Sequence, residues 1–284
     1  MKKTRRPVVA GYFYPGSREK LVEAIEWSFK HSLGPGDLPK LSHERKRGII
    51  GYVVPHAGYI YSGPIAAHAY YDMAMHGTPE TVIIIGTNHT GVGKPVSVYP
   101  EGVWETPLGV LQVDSELAKA ITEQSELADL DTYAHLDEHS VEVQLPFLQY
   151  IYGEKLKLLP IVMGVHTPEA ARDLASAIIN SARKLNRDII VLSSSDFNHY
   201  EPHEVTVDKD MLAISKILEL SSEEFYRVML EKDISICGPG GVMTLIEITK
   251  HLNGHAVLLK HATSGDTGGD KTAVVGYASI KFYL

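Results

Sequence analysis

An α/β fold, built on a mostly parallel mixed sheet with helices on both faces, is predicted by three features of this 284-residue chain. Short apolar runs of strand length recur along it. Stretches with helical spacing separate those runs. The runs are close to continuously apolar instead of alternating, which is the pattern of strands covered on both sides.

Taken in order, residues 18–31 set Leu21, Ala24, Ile25 and Phe29 on one helical face. Residues 48–54 read as a strand, and residues 62–75 as the helix after it. The β-branched run at 81–85 is a second strand. Residues 91–112, with Val96, Val98, Trp104 and three prolines, read as a hairpin excursion. Helical spacing returns at 114–124 and 138–150. Strands are then expected at 156–163, 188–193, 256–261 and 273–282, with helices at 168–184, 205–218 and 240–252. There is no internal repeat. The Gly-, Pro- and charge-rich stretch 32–47 lies too near the start to divide two domains, so residues 1–284 are read as one domain.

Composition excludes several classes. Hydrophobic residues make up 44% and charged residues 22%, which is neither a disordered chain nor a collagen. With one cysteine, Cys237, no internal disulfide is possible. No apolar run is long enough to span a membrane, and no apolar signal core follows the basic residues Met1 to Arg6, so a cytoplasmic protein is expected. A net charge of -8 argues against nucleic acid and anionic membranes as partners. Histidine is abundant, at 14 residues, and histidine both titrates near neutrality and binds metals.

Three strands run into the same kind of chemistry. Residues 48–54 lead into Pro55-His56-Ala57-Gly58-Tyr59. Residues 81–85 lead into Gly86-Thr87-Asn88-His89, and residues 188–192 into Ser193 through Asp196-Phe197-Asn198-His199. Ligands of open α/β sheets bind beyond the carboxyl ends of the strands, so parallel neighbours would bring these histidines to one rim. Asp137-Glu138-His139-Ser140 opens a helical pattern and suits the positive end of a helix dipole. Cys237, before Gly238-Pro239-Gly240-Gly241, stands where a helix N-terminus or a metal favours the thiolate. The plainer readings are a capping histidine, a core cysteine and a tight glycine turn. His68, His76, His166 and His251 sit in or beside helical patterns and are read as structural or surface residues. Ser193 to Ser195 lack the Gly-x-Ser-x-Gly surroundings of a nucleophile elbow.

The motifs Val54-Pro55-His56-Ala57-Gly58-Tyr59, Gly86-Thr87-Asn88-His89, Asp137-Glu138-His139-Ser140-Val141-Glu142, Ser194-Ser195-Asp196-Phe197-Asn198-His199 and Cys237-Gly238, in this order, resemble the Memo family. The resemblance covers nearly the whole chain. It implies a fold similar to the class III extradiol dioxygenases, which are non-haem iron enzymes. By motif, His56 and His89 match the two histidine ligands, and Cys237 takes the third position, where the dioxygenases have a glutamate. His199 matches the acid/base histidine, while Asp196 and His139 would contact substrate or the ligands. Thiolate in place of carboxylate weakens the case for ring cleavage, because soft sulfur changes metal preference and redox chemistry.

Two imidazoles and a thiolate leave positions open on a metal, as catalysis requires. Iron(II) is expected, with zinc or copper also fitting these donors. The leading expectation is therefore an iron-dependent oxidoreductase or dioxygenase-like enzyme acting on a small molecule. A non-catalytic metal- or phosphopeptide-binding protein is the alternative, by resemblance to eukaryotic relatives. Phe13 matches the region of a family tryptophan, and no arginine cluster suited to phosphate accompanies the motifs. A metal-free hydrolase or transferase, with Cys237 as nucleophile, His199 or His56 as base and Asp196 as orienter, is the third reading.

Overall fold

The computed structural model describes residues 3–284, so Met1 and Lys2 of the basic start lie outside the described residues. The first strand, β1 (Thr4–Arg5), precedes helix α1 (Arg18–Lys30). Then come β2 (Ile49–Val54), α2 (Tyr59–Ala74), β3 (Thr81–Thr87), β4 (Val96–Val98), β5 (Val103–Thr106) and β6 (Gly109–Val113). Helix α3 (Ser115–Gln124) leads through β7 (Ala128–Leu130) to α4 (Leu145–Tyr152) and β8 (Lys157–Met163). The second half holds α5 (Pro168–Lys184), β9 (Ile189–Ser194), β10 (His199–Glu201), α6 (His203–Leu218), α7 (Ser222–Glu231) and α8 (Pro239–His251). The described chain closes with β11 (His255–Thr263), α9 (Ser264–Gly268) and β12 (Val274–Tyr283).

The centre of the sheet runs β6-β8-β3-β9-β2 with every neighbour parallel. Antiparallel β12 and β11 extend one side, and the antiparallel β5–β6 hairpin with β1 extends the other. This is the expected mixed, mostly parallel α/β sheet. In β3 the alternation of side chains sends Ile83 and Ile85 into one core and Val82 and Ile84 into the other. The first core packs under α3, α5, α6, α7 and α8; the second packs under α1, α2 and α4. Each layer is fully buried along β3, which is why the run reads as continuously apolar.

Local signals set the helix starts. The Asp114 carboxylate accepts from Leu117 N–H at 3.2 Å and caps α3. Thr167 caps α5, with Pro168 at the first helical position. The sequence reading overlooked α7, although Ser221 and Glu224 form the spacing of a capping box and Ser221 caps the helix. The reading of residues 138–150 as one helix is corrected. A 3₁₀ turn at Glu142–Gln144 precedes α4, and Glu138 to Ser140 form a loop instead. Among the described residues, no helix is long and apolar enough to cross a membrane.

Candidate metal centre

Strands β2 and β3 both pair in parallel with β9, so their carboxyl ends meet at one rim. His56 leaves that rim two residues past β2, and His89 two residues past β3. The His56 imidazole is buried and held by the end of β9, with Nδ1 3.0 Å from Ser194 Oγ. Ser194 Oγ gives its own proton to the Ser140 carbonyl at 2.6 Å and accepts from Gln144 Nε2 at 2.8 Å. It therefore receives the Nδ1 proton of His56, which leaves Nε2 of that ring as a bare lone pair.

His89 is fixed by the same logic with a carboxylate. Its Nδ1 donates to Glu138 Oε1 at 2.9 Å and its amide to Glu138 Oε2 at 2.7 Å. Its Nε2 is thereby the free acceptor. A carboxylate behind a histidine in this way orients the ring and makes it a stronger metal ligand. The Glu138 loop lies against the end of β3 because Gly86 has no side chain; a Cβ there would stand 2.3 Å from Ser140 Oγ. Ser140 Oγ accepts from Thr87 N–H at 3.0 Å and locks the contact.

The loop also delivers His139. Its ring stacks on His89 with centroids 4.5 Å apart, and lies edge-on to His56 at 5.3 Å. Phe13 covers its outer side at 4.6 Å. One ring nitrogen from each of His56, His89 and His139 lies within 4.8 Å of the others, and this group could hold a metal ion. The three grade from buried His56 through half-buried His139 to exposed His89, so the group opens to one side.

The electrostatics suit a cation. Burial, with the neighbouring His89, pushes the His56 pKa down to about 3. Burial and His56 bring His139 down to about 4. Both rings are therefore neutral near pH 7, the form in which an imidazole can bind a metal. Burial alone would raise the Glu138 carboxyl, but the His89 hydrogen bond and the Ser140 amide bring it down to about 2. The charge behind His89 is thus permanent in the neutral range.

The remaining sequence candidates fall around this group. Cys237 Sγ lies 3.2 Å from His56 Nε2 and accepts from the Asp196 amide at 3.1 Å. Loss of solvent around Sγ, with the Asp196 carboxylate nearby, pushes the thiol pKa up, so without a metal the helix N-terminus does not make a thiolate. Asp196 does not orient a histidine ring. Its carboxylate accepts from the His56 backbone N–H at 2.8 Å, and burial raises its pKa. His199 lies at the edge with Nδ1 2.7 Å from the Ser235 carbonyl. Glu138 is the ring-orienting carboxylate that the sequence reading assigned to a helix dipole. His166, read as structural, stands on the same rim three residues past β8.

The chain matches the family model described as Memo-like protein over residues 5–281. A MEMO1 family protein of Desulfurococcus amylolyticus is 62% identical over 282 residues, covering 99% of this chain and all of the relative. Those of Ignicoccus hospitalis and Sulfurisphaera tokodaii are 55% and 51% identical, and each alignment covers 99% of the relative and at least 98% of this chain. An uncharacterised protein of Escherichia coli K12 has a similar fold, with a TM-score of 0.51 and 11% identity over 82% of this chain and 99% of its own. With its histidine rim, its mixed sheet and these relatives over the full described length, the chain belongs to the Memo family.

Proposed function

We propose that the chain is a metal-dependent enzyme acting on a small molecule, with iron(II) as its working ion. The observation that carries this reading is the convergence of three imidazoles, two of which, His56 and His89, are oriented from behind by a fixed hydrogen-bond partner. In this reading His56 and His89 are the constant ligands. Cys237 is the third, because its Sγ already touches His56 Nε2, and a cation bound there would displace the thiol proton to solvent and hold the thiolate. His139 is close enough to serve as a fourth donor or to face substrate.

The donor set bears on the metal. Zinc prefers four ligands, and four protein donors would close it into a structural site. Iron(II) accepts more, so it keeps positions open for substrate. Bound there, the ion would supply Lewis acidity and redox chemistry. The protein's own part is to orient the His56 and His89 imidazoles, to cover His139 with the Phe13 ring, and to hold a proton at buried Asp196 beside the His56 backbone. A cytoplasmic location and no nucleic-acid partner belong to this reading.

A metal-free cysteine nucleophile is disfavoured by one observation. The Cys237 thiol is held protonated by its surroundings, and no group near it draws the pKa down enough to make a thiolate. Peptide binding has no comparable support, because Arg5, beside the loop, is already engaged in a buried ion pair.

The test is elemental analysis of protein purified anaerobically without an affinity tag, beside His56→Ala, His89→Ala and Cys237→Ser. About one iron per chain, lost in each variant, is the expected result. Iron retained in both His56→Ala and Cys237→Ser overturns the assignment.

A further inference from the structure

His166 has no role in the site as described so far, yet three observations join it to that site. First, β8 and β3 pair in parallel in full register, Met163 opposite Thr87, so His166 and His89 leave adjacent strands on the same rim. Burial, with His89 as neighbour, lowers the His166 pKa to about 4, so its imidazole is neutral near pH 7. Second, the ring is seated by the start of α8, where the Gly240 amide donates to His166 Nδ1 at 3.2 Å. Position 240 has to be glycine for this seat: a Cβ would come within 2.7 Å of His166 Nδ1 and 3.0 Å of Met163 Cε. Third, the other nitrogen, Nε2, has no hydrogen-bond partner among the described residues, and it is not sealed in the interior.

These facts determine the tautomer. A nitrogen that accepts from a backbone amide has no proton of its own, so neutral His166 has its proton on Nε2. That N–H is then a fixed donor. It is polarised from behind by the first turn of a 13-residue helix, whose positive end it extends outward. Cys237 stands three residues earlier on the same segment, so one helix start would position both a metal donor and a hydrogen-bond donor.

We propose that His166 is a substrate-contacting residue of the metal centre, donating its Nε2–H to a negatively charged oxygen of a ligand bound at the ion. The substrate class that follows is a small molecule with an ionised oxygen (a carboxylate, enolate or phenolate) that meets the ion and His166 together. This inference rests on the metal-centre reading given above.

The test uses cobalt(II) as the metal probe and azide as the anion probe, followed by visible absorption of the loaded protein, with neutral imidazole as the control ligand. His166→Leu is expected to retain one cobalt per chain while its azide dissociation constant rises about tenfold, the loss of one hydrogen bond to a charged group. Gly240→Ala, which displaces the ring, is expected to raise it similarly, and His166→Gln, which retains an N–H donor, to restore most of the affinity. Imidazole binding is expected to be the same throughout. Unchanged azide affinity in cobalt-loaded His166→Leu overturns the assignment of His166 and leaves the metal centre standing. A wild-type protein that takes up no cobalt overturns both.

Discussion

Arg5 and Glu138 are joined through the main chain: Arg5 Nη2 donates to the Glu138 carbonyl at 2.7 Å, while the carboxylate of the same residue orients His89. The guanidinium also donates to the His135 carbonyl and pairs with buried Glu142. Glu142 in turn accepts from the amides of Val8 and Val9 and from Tyr14 Oη at 2.7 Å. The N-terminal segment and the loop holding Glu138 and His139 are thus clamped by one ion pair beneath the rim.

Glu138→Gln should separate orientation from ligation. The amide can still meet His89 but no longer supplies a charge behind it. Metal affinity is expected to fall about 10- to 100-fold with the fold intact. A competition titration against a chelator, with circular dichroism as the control, measures this; an unchanged affinity would show that Glu138 acts only as a loop contact.

Arg5→Met should act on stability first. The substitution leaves Glu142 charged in a site from which water is excluded, with 0% of its side chain exposed. A loss of about 3–5 kcal/mol is expected from stranding one member of a buried pair. Urea unfolding reads it. Replacing both residues, Arg5→Met with Glu142→Leu, should recover part of the loss, since the stranded charge is gone.

Metal-free protein should lose stability in mild acid. The pKa values of His56 and His135 are pushed by burial from 6.5 to about 3 and about 4 in the folded state. The unfolded chain takes up those protons near pH 6.5 and the folded chain does not. Stability is therefore whole above pH 6.5 and falls as pH drops toward 4, by about 1.4 kcal/mol per pH unit for each such ring. Asp196 and Asp210, raised by burial, hold protons in the folded state and offset part of the loss at the acid end. Unfolding free energies measured from pH 7.5 to 4.5 check the sign; a flat profile would mean these rings are not buried neutral.

Much of this was readable in the chain. The strands at β2, β3, β8 and β9 were legible because burial on both faces makes each run uniformly apolar. His56 and His89 were legible because a residue just past a parallel strand has few places to go other than the rim. Glu138 was misread because Asp137-Glu138 satisfies a local rule about helix starts, whereas its true partner, His89, is a tertiary neighbour. His166 was missed for a similar reason: it precedes a helix in sequence, but its seat is the start of a different helix, α8. The α7 helix was missed although its capping residues were visible. Contacts between distant segments, such as Cys237 with His56, have no local signature at all.

The assembly of the rim has a consequence for how the protein is made. Arg5 braces a loop more than 130 residues away, and the thiol beside His56 belongs to a segment 181 residues further along the chain. In the proposed reading, a polypeptide still emerging from the ribosome has no complete set of donors until Cys237, just before α8, has been synthesised. An ion bound as proposed would therefore not nucleate folding as it does in small zinc-dependent modules. Hydrogen bonds already orient the His56 and His89 rings, so metal binding as proposed would not be what sets these two side chains in place. If the proposed centre holds a metal, cells starved of it would accumulate folded protein ready to be charged, and the ion could be exchanged over the protein's lifetime without its unfolding.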